Sequence, residues 1–177
     1  MSDGIHLTHY HQMIVKWLKE HVNWLKLVDF YPETETALPV PCAFFSVQDW
    51  ERSEDQRMNG QLTVTLSCEL LAVLGIAEDK YQLDIRNAAM ALAIAVEGER
   101  FGLPVEPAVF SSAEPDAFNP ELDDYAVWSI RFTQEIDIGK DEFQYTGVTP
   151  STVKVGYVPK VGLNDQDSYE QVTDERT

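Results

Sequence analysis

The sequence predicts an α+β fold, a two-layer sandwich with two helices packed on one face of a mostly antiparallel sheet of four to five strands. Apolar residues recur at helical spacing in two segments, Ile5–Val22 and Asp79–Glu97. Apolar and polar residues alternate at Leu62–Leu70 and within Leu122–Ile138, which is typical of strands with one buried face. Because two helices cannot cover both faces of such a sheet, we expect the second face to be partly polar.

The N-terminal part predicts a helix followed by two strands. The apolar stripe of the helix consists of Tyr10, Met13, Ile14, Trp17 and Leu18. Asn23 is a plausible stop, and Trp24–Tyr31 is the first predicted strand, ended by Pro32. The polar and proline-marked segment Glu33–Pro41 predicts a loop, and Cys42–Trp50 predicts the second strand.

The clearest strand follows a charged loop. Glu51–Gly60 is rich in charge and ends on Asn59-Gly60, a strong turn signal. Beyond it, Leu62–Leu70 alternates strictly between apolar and polar residues. These features predict a long hairpin whose tip is charged and mobile.

The second half predicts a helix and two further strands. The helix Asp79–Glu97 precedes Gly98, which suits a helix C-terminus. Pro104–Phe110 predicts a short strand, and Ser111–Pro120 predicts an acidic loop. In the last major strand, Leu122–Ile138, one face carries Ala126, Trp128, Ile130 and Phe132, and the other carries Tyr125, Val127, Ser129, Arg131 and Thr133.

The sequence predicts that the chain is divided into two regions. Residues 1–139 would form the α+β domain, which Gly139 closes. Residues 140–177 would form a C-terminal extension, with an edge strand within Thr152–Val158 and a fraying polar end from Asn164 to Thr177.

Charge restricts the classes of partner. The 177 residues include 13 Lys and Arg against 30 Asp and Glu, a formal net charge of −17. The basic residues form no cluster, which argues against tight binding of nucleic acid or of an anionic membrane. Such acidity can serve solubility alone, or it can line a passage to which DNA must not adhere. No apolar run is long enough to span a bilayer, and no signal peptide is predicted.

The sequence gives only weak support for a catalytic or a metal-binding site. His6 and His9 share a helix side and could hold zinc, but no third ligand lies nearby, so surface or interface histidines are the preferred interpretation. The acidic pairs Glu54-Asp55, Glu114 with Asp116, and Asp123-Asp124 lie in polar loops, where carboxylates are solvated. Cys42 and Cys68 are expected to be buried free thiols. No nucleophile elbow, P-loop or dinucleotide-binding pattern occurs, so we expect no enzyme, no cofactor and no metal site.

Aromatic residues on the predicted strands indicate a subunit interface. Several must leave the core because their neighbours point to opposite faces, and aromatics exposed on a sheet suit an interface, although an ordinary core with a few surface aromatics remains open. Together with the charged loop, they give the predicted interface residues: Phe44, Trp50, Glu51, Arg52, Glu54, Asp55, Arg57, Tyr125 and Arg131.

Four stretches of residues 5–139 resemble tail terminator proteins of long-tailed bacteriophages. One is the N-terminal amphipathic helix followed by Leu38-Pro39-Val40-Pro41. The others are the hairpin closing on Asn59-Gly60-Gln61-Leu62-Thr63-Val64, the alanine-rich helix with Asp84-Ile85-Arg86-Asn87-Ala88-Ala89, and the strand Tyr125-Ala126-Val127-Trp128-Ser129-Ile130-Arg131-Phe132. The likeness is a pattern of elements without a catalytic motif, and residues 140–177 have no match in it.

The resemblance implies a structural virion protein in the tail or neck, present in the host cytoplasm during assembly. Such proteins form a homo-hexameric ring that caps the head-proximal end of the tail tube and stops its polymerisation. Their partners are the tube protein, the neck or head completion proteins and, in contractile tails, the sheath; DNA passes through the channel without tight binding. Two alternatives remain open: another neck or head–tail adaptor ring protein, and a small acidic binding module or hydrolase of a mobile element.

Overall fold

The computed structural model describes residues 4–31, 37–77, 79–116, 122, 124–143 and 152–171. The chain forms two compact units, Met1–Phe143 and Gln144–Thr177. The elements of the first unit, in chain order, are α1 (Leu7–His21), β1 (Leu27–Phe30), β2 (Cys42–Arg52), β3 (Leu62–Gly75), α2 (Tyr81–Val96), β4 (Val109–Pro115) and β5 (Tyr125–Ile138). Neither of these helices is long and apolar enough to cross a bilayer.

One five-stranded sheet, in the order β1-β2-β3-β5-β4, organises the first unit. The pair β1–β2 is parallel, and the other three pairs are antiparallel. The two longest strands, β3 and β5, pair over 14 residues each, from Leu62 opposite Ile138 to Gly75 opposite Tyr125. The predicted α+β class and mostly antiparallel sheet are confirmed.

Both helices contribute to one core on the same face of the sheet. Each buries a stripe at helical spacing, Tyr10, Ile14 and Leu18 in α1, and Ile85, Ala89, Leu92 and Val96 in α2. The strand residues in the same cluster are Leu66, Cys68, Leu70, Ile130 and Phe132. Burying each large apolar side chain contributes about 1.5–3 kcal/mol, which explains why both helices face the sheet. The α2 helix ends as expected, with Gly98 at φ +78° directly after the C-cap.

The opposite face of the sheet is apolar at one end and polar over the rest. A smaller cluster buries Cys42, Phe44, Leu71, Val73, Leu122 and Val127, and Leu38 and Val40 pack against it. Beyond this cluster the same face carries Thr65, Ser67, Glu69 and Arg131, which alternate with the core residues of β3 and β5. The partly polar second face is therefore as the alternation predicts.

The fourth strand lies further along the chain than the sequence indicates. The prediction placed it at Pro104–Phe110 and a loop at Ser111–Pro120, whereas β4 runs from Val109 to Pro115. Pro104 and Pro107 have no backbone N–H to donate, which disfavours pairing before Ala108. The neighbouring strand β5 pairs instead with Val109 and Phe110 and then with residues of low strand propensity, as far as Pro115 opposite Trp128. Residues 117–120 of the predicted loop lie outside the described residues.

The second unit is a small structure of its own. Its β6 (Lys154–Val155) pairs with β7 (Glu170–Gln171) in a two-stranded sheet, and a 3-10 helix spans Leu163–Ser168. The strand expected within Thr152–Val158 thus pairs with a local partner. A Cβ at Gly156 would stand 2.5 Å from the ring of Tyr169, so this close approach requires glycine. The end predicted to fray lies partly outside the described residues, from 172 onward.

Candidate assembly surfaces

The predicted interface residues do not form one surface. Trp50 is 58% exposed at the end of β2, and Glu51, Arg52, Glu54, Asp55 and Arg57 are exposed in the same region. Phe44 is only 4% exposed and belongs to the smaller apolar cluster, so it offers no surface in the folded unit. Tyr125 is half-buried, and its hydroxyl accepts a 2.9 Å hydrogen bond from the Leu38 N–H.

The charged loop between β2 and β3 is held to the sheet, in contrast to the mobile tip that its composition predicts. The Gln56 amide donates to the carbonyl oxygens of Ser53 (2.7 Å) and Thr63 (2.9 Å) and accepts from the Thr63 N–H (3.2 Å). Arg57 forms ion pairs with Asp137 (2.7 Å) and Glu106 (2.9 Å). These contacts replace the strand pairing that ends at Arg52, which residue composition alone cannot reveal.

Arg131 lies at the centre of a charged network on the polar sheet face. Its guanidinium is 2.7 Å from Glu114 on β4 and 3.5 Å from Glu69 on β3. Glu69 also accepts hydrogen bonds from Ser129 (2.5 Å) and Gln48 (2.7 Å). The network spans four neighbouring strands, and exposed pairs of this kind contribute about 0–1 kcal/mol each to stability. Arg131 is therefore already engaged within its own chain.

The cysteines are buried, as expected, and their environment keeps them protonated. Burial raises the pKa of Cys42 to about 11 and that of Cys68 to about 12. The Cys68 sulfur lies 3.5 Å from the Tyr10 hydroxyl. A thiol reacts as its thiolate, so these two groups are poor nucleophiles at neutral pH.

The histidines divide into two environments. His6, directly before α1, and His9, on α1, are exposed, whereas His11 is 7% exposed and packs against Phe30, Tyr31 and Phe45. His11 is buried because it lies on the side of α1 that faces the sheet. Within the described ranges, no group of three or more His, Cys, Asp or Glu residues is arranged to hold a metal ion.

The paired carboxylates are mostly exposed, as expected, but Glu114 lies on a strand instead of in the predicted loop, and Asp116, directly after that strand, is half-buried. Glu54 and Asp55 are exposed in the loop after β2, and Glu114 is exposed on β4 in its ion pair with Arg131. Asp124 is exposed, while Asp123 lies outside the described residues.

An apolar groove between α2 and β4 is the feature that sequence reasoning missed. Its volume is about 800 Å³, and the side chains that line it include Met90, Ala93 and Ile94 of α2, Phe110 and Ala113 of β4, and Trp128 of β5. Met90 and Ile94 are 64% and 72% exposed, although they are among the most apolar residues of the helix. A signal was present: Leu83, Met90 and Ile94 give α2 an apolar side in addition to its core stripe. A helix that is apolar on two sides indicates two contacts.

Two charged residues border this groove, and each has a partner. The guanidinium of Arg86 lies 5.2 Å from the centre of the Trp128 ring. The Glu97 carboxylate accepts a 2.6 Å hydrogen bond from the Phe110 N–H of β4. The groove therefore has an apolar floor and one charged residue of each sign at its border. The Glu97 carboxylate is the one next to β4, at the edge of the sheet.

Comparison with known proteins yields a fold likeness alone. No protein-family model matches the chain, and no curated protein sequence matches it. Among solved structures with a similar fold is a chain of the virion of a native gene transfer agent particle, with a TM-score of 0.53 and 12% sequence identity. The match covers 75% of this chain and 99% of that chain. The fold is thus shared with a chain of that virion, and a quarter of this chain has no counterpart in it.

Proposed function

We propose that the protein is a structural component of a virion that forms a ring at the head-proximal end of a phage tail tube. The ring stops polymerisation of the tube and provides the joining surface for neck and head completion proteins. The observation that carries the proposal is the fold shared with a chain of a gene transfer agent virion. The likeness of residues 5–139 to tail terminators supports the position in the tail.

The distribution of apolar surface supports assembly into a ring. A ring of identical subunits needs two different, mutually complementary surfaces on each copy. One candidate is the groove between α2 and β4. A second lies at the other end of the sheet, where Ile5, Leu7, Trp50, Val64, Ile136 and Ile138 surround a cavity of about 230 Å³. Exposed apolar patches of this kind mark interaction sites in soluble proteins.

The negative charge supports a channel through which DNA passes. Six copies would carry 6 × −17 = −102 formal charges. Acidic side chains that face the channel would repel the phosphate backbone and keep DNA from adhering. A structure of the ring with its acidic loops confined to the outer wall would contradict this part of the proposal.

Tail length in particles made without this protein tests the function. We expect overlong tubes that lack heads, because nothing would stop polymerisation at the growing end. Tails of normal length that fail to join heads would make the protein a neck adaptor instead. Intact infectious particles would contradict both structural roles and favour a binding module or hydrolase.

A binding module would require a site with chemistry in it. Among the residues that the structure describes, the groups whose pKa is clearly shifted are Tyr10, Cys42 and Cys68. They are buried among core residues and do not line the groove between α2 and β4. This separation favours an assembly surface over a catalytic pocket.

A further inference from the structure

The second unit exposes a segment that is both apolar and cationic. Within Thr152–Gly162, here called the C-terminal arm, five apolar residues are exposed: Val153 (52%), Val155 (38%), Tyr157 (67%), Val158 (84%) and Val161 (48%). The arm also carries Lys154 and Lys160 and no acidic residue. So many exposed apolar groups within eleven residues indicate a surface that is covered in the assembled state.

The second unit is too small to bury this surface by itself. Gln144–Thr177 has 34 residues, and units below about 40 residues usually need disulfides, metals or a partner to be stable. The cysteines of the chain are Cys42 and Cys68, so this unit contains no disulfide of its own. A partner surface that covers the arm would supply stabilisation of this kind.

The first unit offers a surface of complementary chemistry. Residues 1–142 carry 10 Lys and Arg against 25 Asp and Glu, a formal charge of 10 − 25 = −15, whereas the arm carries +2. The groove between α2 and β4 has an apolar floor and one charged residue of each sign at its border, Arg86 and Glu97. The volume of the groove, about 800 Å³, is within the range of ligand-binding pockets, so it has room for several side chains.

We infer that the C-terminal arm of one copy docks in the groove between α2 and β4 of a second copy. Tyr157 and Val158 would enter against Met90, Ile94 and Phe110, while Lys154 and Lys160 would meet the net negative charge of the first unit. The inference rests on the proposed ring, in which each copy gives an arm to one neighbour and receives an arm from the other. Such head-to-tail contacts close a ring when the rotation between copies is regular.

Disulfide trapping between two differently tagged full-length chains tests the docking. One chain carries Ile94→Cys in the groove, and the other carries Val158→Cys in the arm. Both positions are exposed and both native cysteines are buried, so the introduced thiols are the accessible ones. In the control, the groove chain is replaced by one that carries Lys16→Cys, an exposed position of α1. Docking raises the local concentration of the two introduced thiols, so we expect the doubly tagged disulfide dimer to be on the order of tenfold more abundant than in the control. Equal yields for groove and control would overturn the inference.

Two further variants separate the competing explanations. Lys154→Glu with Lys160→Glu in the arm chain should remove most of the doubly tagged dimer, because the acidic surface would then repel the arm; an unchanged yield would contradict the charge argument. A single chain carrying both Ile94→Cys and Val158→Cys should form links between copies. A compact, internally linked monomer would show docking within one chain and overturn the inference.

The outcome is distinguishable from the fate of the proposed function. If normal tail length requires this protein but no dimer is trapped, with or without isolated tails present, the proposed ring stands and the arm contact is wrong. If a dimer is trapped but tails are normal without the protein, the arm contact stands and the proposed role of the ring in the tail is wrong.

Discussion

Tyr10 on α1 donates a 2.6 Å hydrogen bond to Gln134 Oε1 on β5, across 124 residues of sequence and inside the core. The Gln134 amide in turn donates to the carbonyl oxygens of Glu99 (3.0 Å) and Glu106 (2.7 Å). One buried glutamine therefore connects the first helix to the segment that leads from α2 into β4. This contact ties the segment before β4, the strand that forms one wall of the apolar groove, to the core.

Tyr10→Phe should destabilise the first unit by about 1–3 kcal/mol, because it leaves the buried Gln134 oxygen without its donor. Urea unfolding followed by tryptophan fluorescence gives the free energy of unfolding. Tyr157→Phe, in an exposed side chain of the second unit, is the matched control and should change little. Equal midpoints for the two variants would show that the Tyr10 hydroxyl contributes nothing net.

Stability should fall in alkaline solution through the two thiols. Burial raises the pKa of Cys42 and Cys68 in the folded chain from 9.0 to about 11 and about 12. Below pH 9 both states keep the thiol protons, so this contribution is fully present; as pH rises from about 9 toward 12, the unfolded chain loses protons first and stability declines. Unfolding midpoints between pH 8 and 10.5 measure the decline. Cys68→Ala should flatten the slope, and a slope unchanged from the parent protein would contradict the assignment.

Gln56→Ala should loosen the loop between β2 and β3. The side chain binds the backbone of Thr63 at both its N–H and its carbonyl, so its removal deprives the N–H of this acceptor, while the carbonyl keeps the Ser53 N–H at 3.1 Å. Amide hydrogen exchange at Thr63 and limited proteolysis between residues 53 and 61 should both become faster, by several-fold. Glu54→Ala, in an exposed side chain of the same loop, is the control. Unchanged exchange at Thr63 would mean that the other contacts of the loop, those of Ser53 and Arg57 among them, hold it without Gln56.

Glu54→Lys combined with Asp55→Lys should reduce assembly of tails if this loop contacts the tube. The two substitutions change the local charge by +4 on an exposed part of the surface, so the fold should be retained. The number of complete tails counted by electron microscopy is the measurement, with circular dichroism as the folding check. Lys16→Glu with Lys19→Glu, a charge reversal of the same size on exposed or half-exposed positions of α1, is the control. A normal tail yield from the loop variant would remove this loop from the interface.

Local periodicity by itself determined the helices and the two long strands. The buried side of each element is visible in its own sequence, because apolar residues recur there with the period of a helix or a strand. Examples are the stripes Tyr10–Ile14–Leu18 and Ile85–Ala89–Leu92 and the alternation from Val64 to Leu70. The polar second face of the sheet followed from the same alternation, as did the buried thiols. The polar loop after β2 could be located in this way, although its attachment through Gln56 and Arg57 could not.

Only the tertiary structure decided which elements meet. The placement of β4 at Val109–Pro115, the parallel pairing of β1 with β2 and the burial of His11 all depend on partners distant in sequence, whose free energy of contact exceeds local propensity. The groove has the same origin: Met90 and Ile94 look like core residues in sequence, and they are exposed because β4 and the sheet leave that side of α2 uncovered. Sequence periodicity reports that a side chain prefers to be buried, whereas the fold determines whether its own chain can bury it.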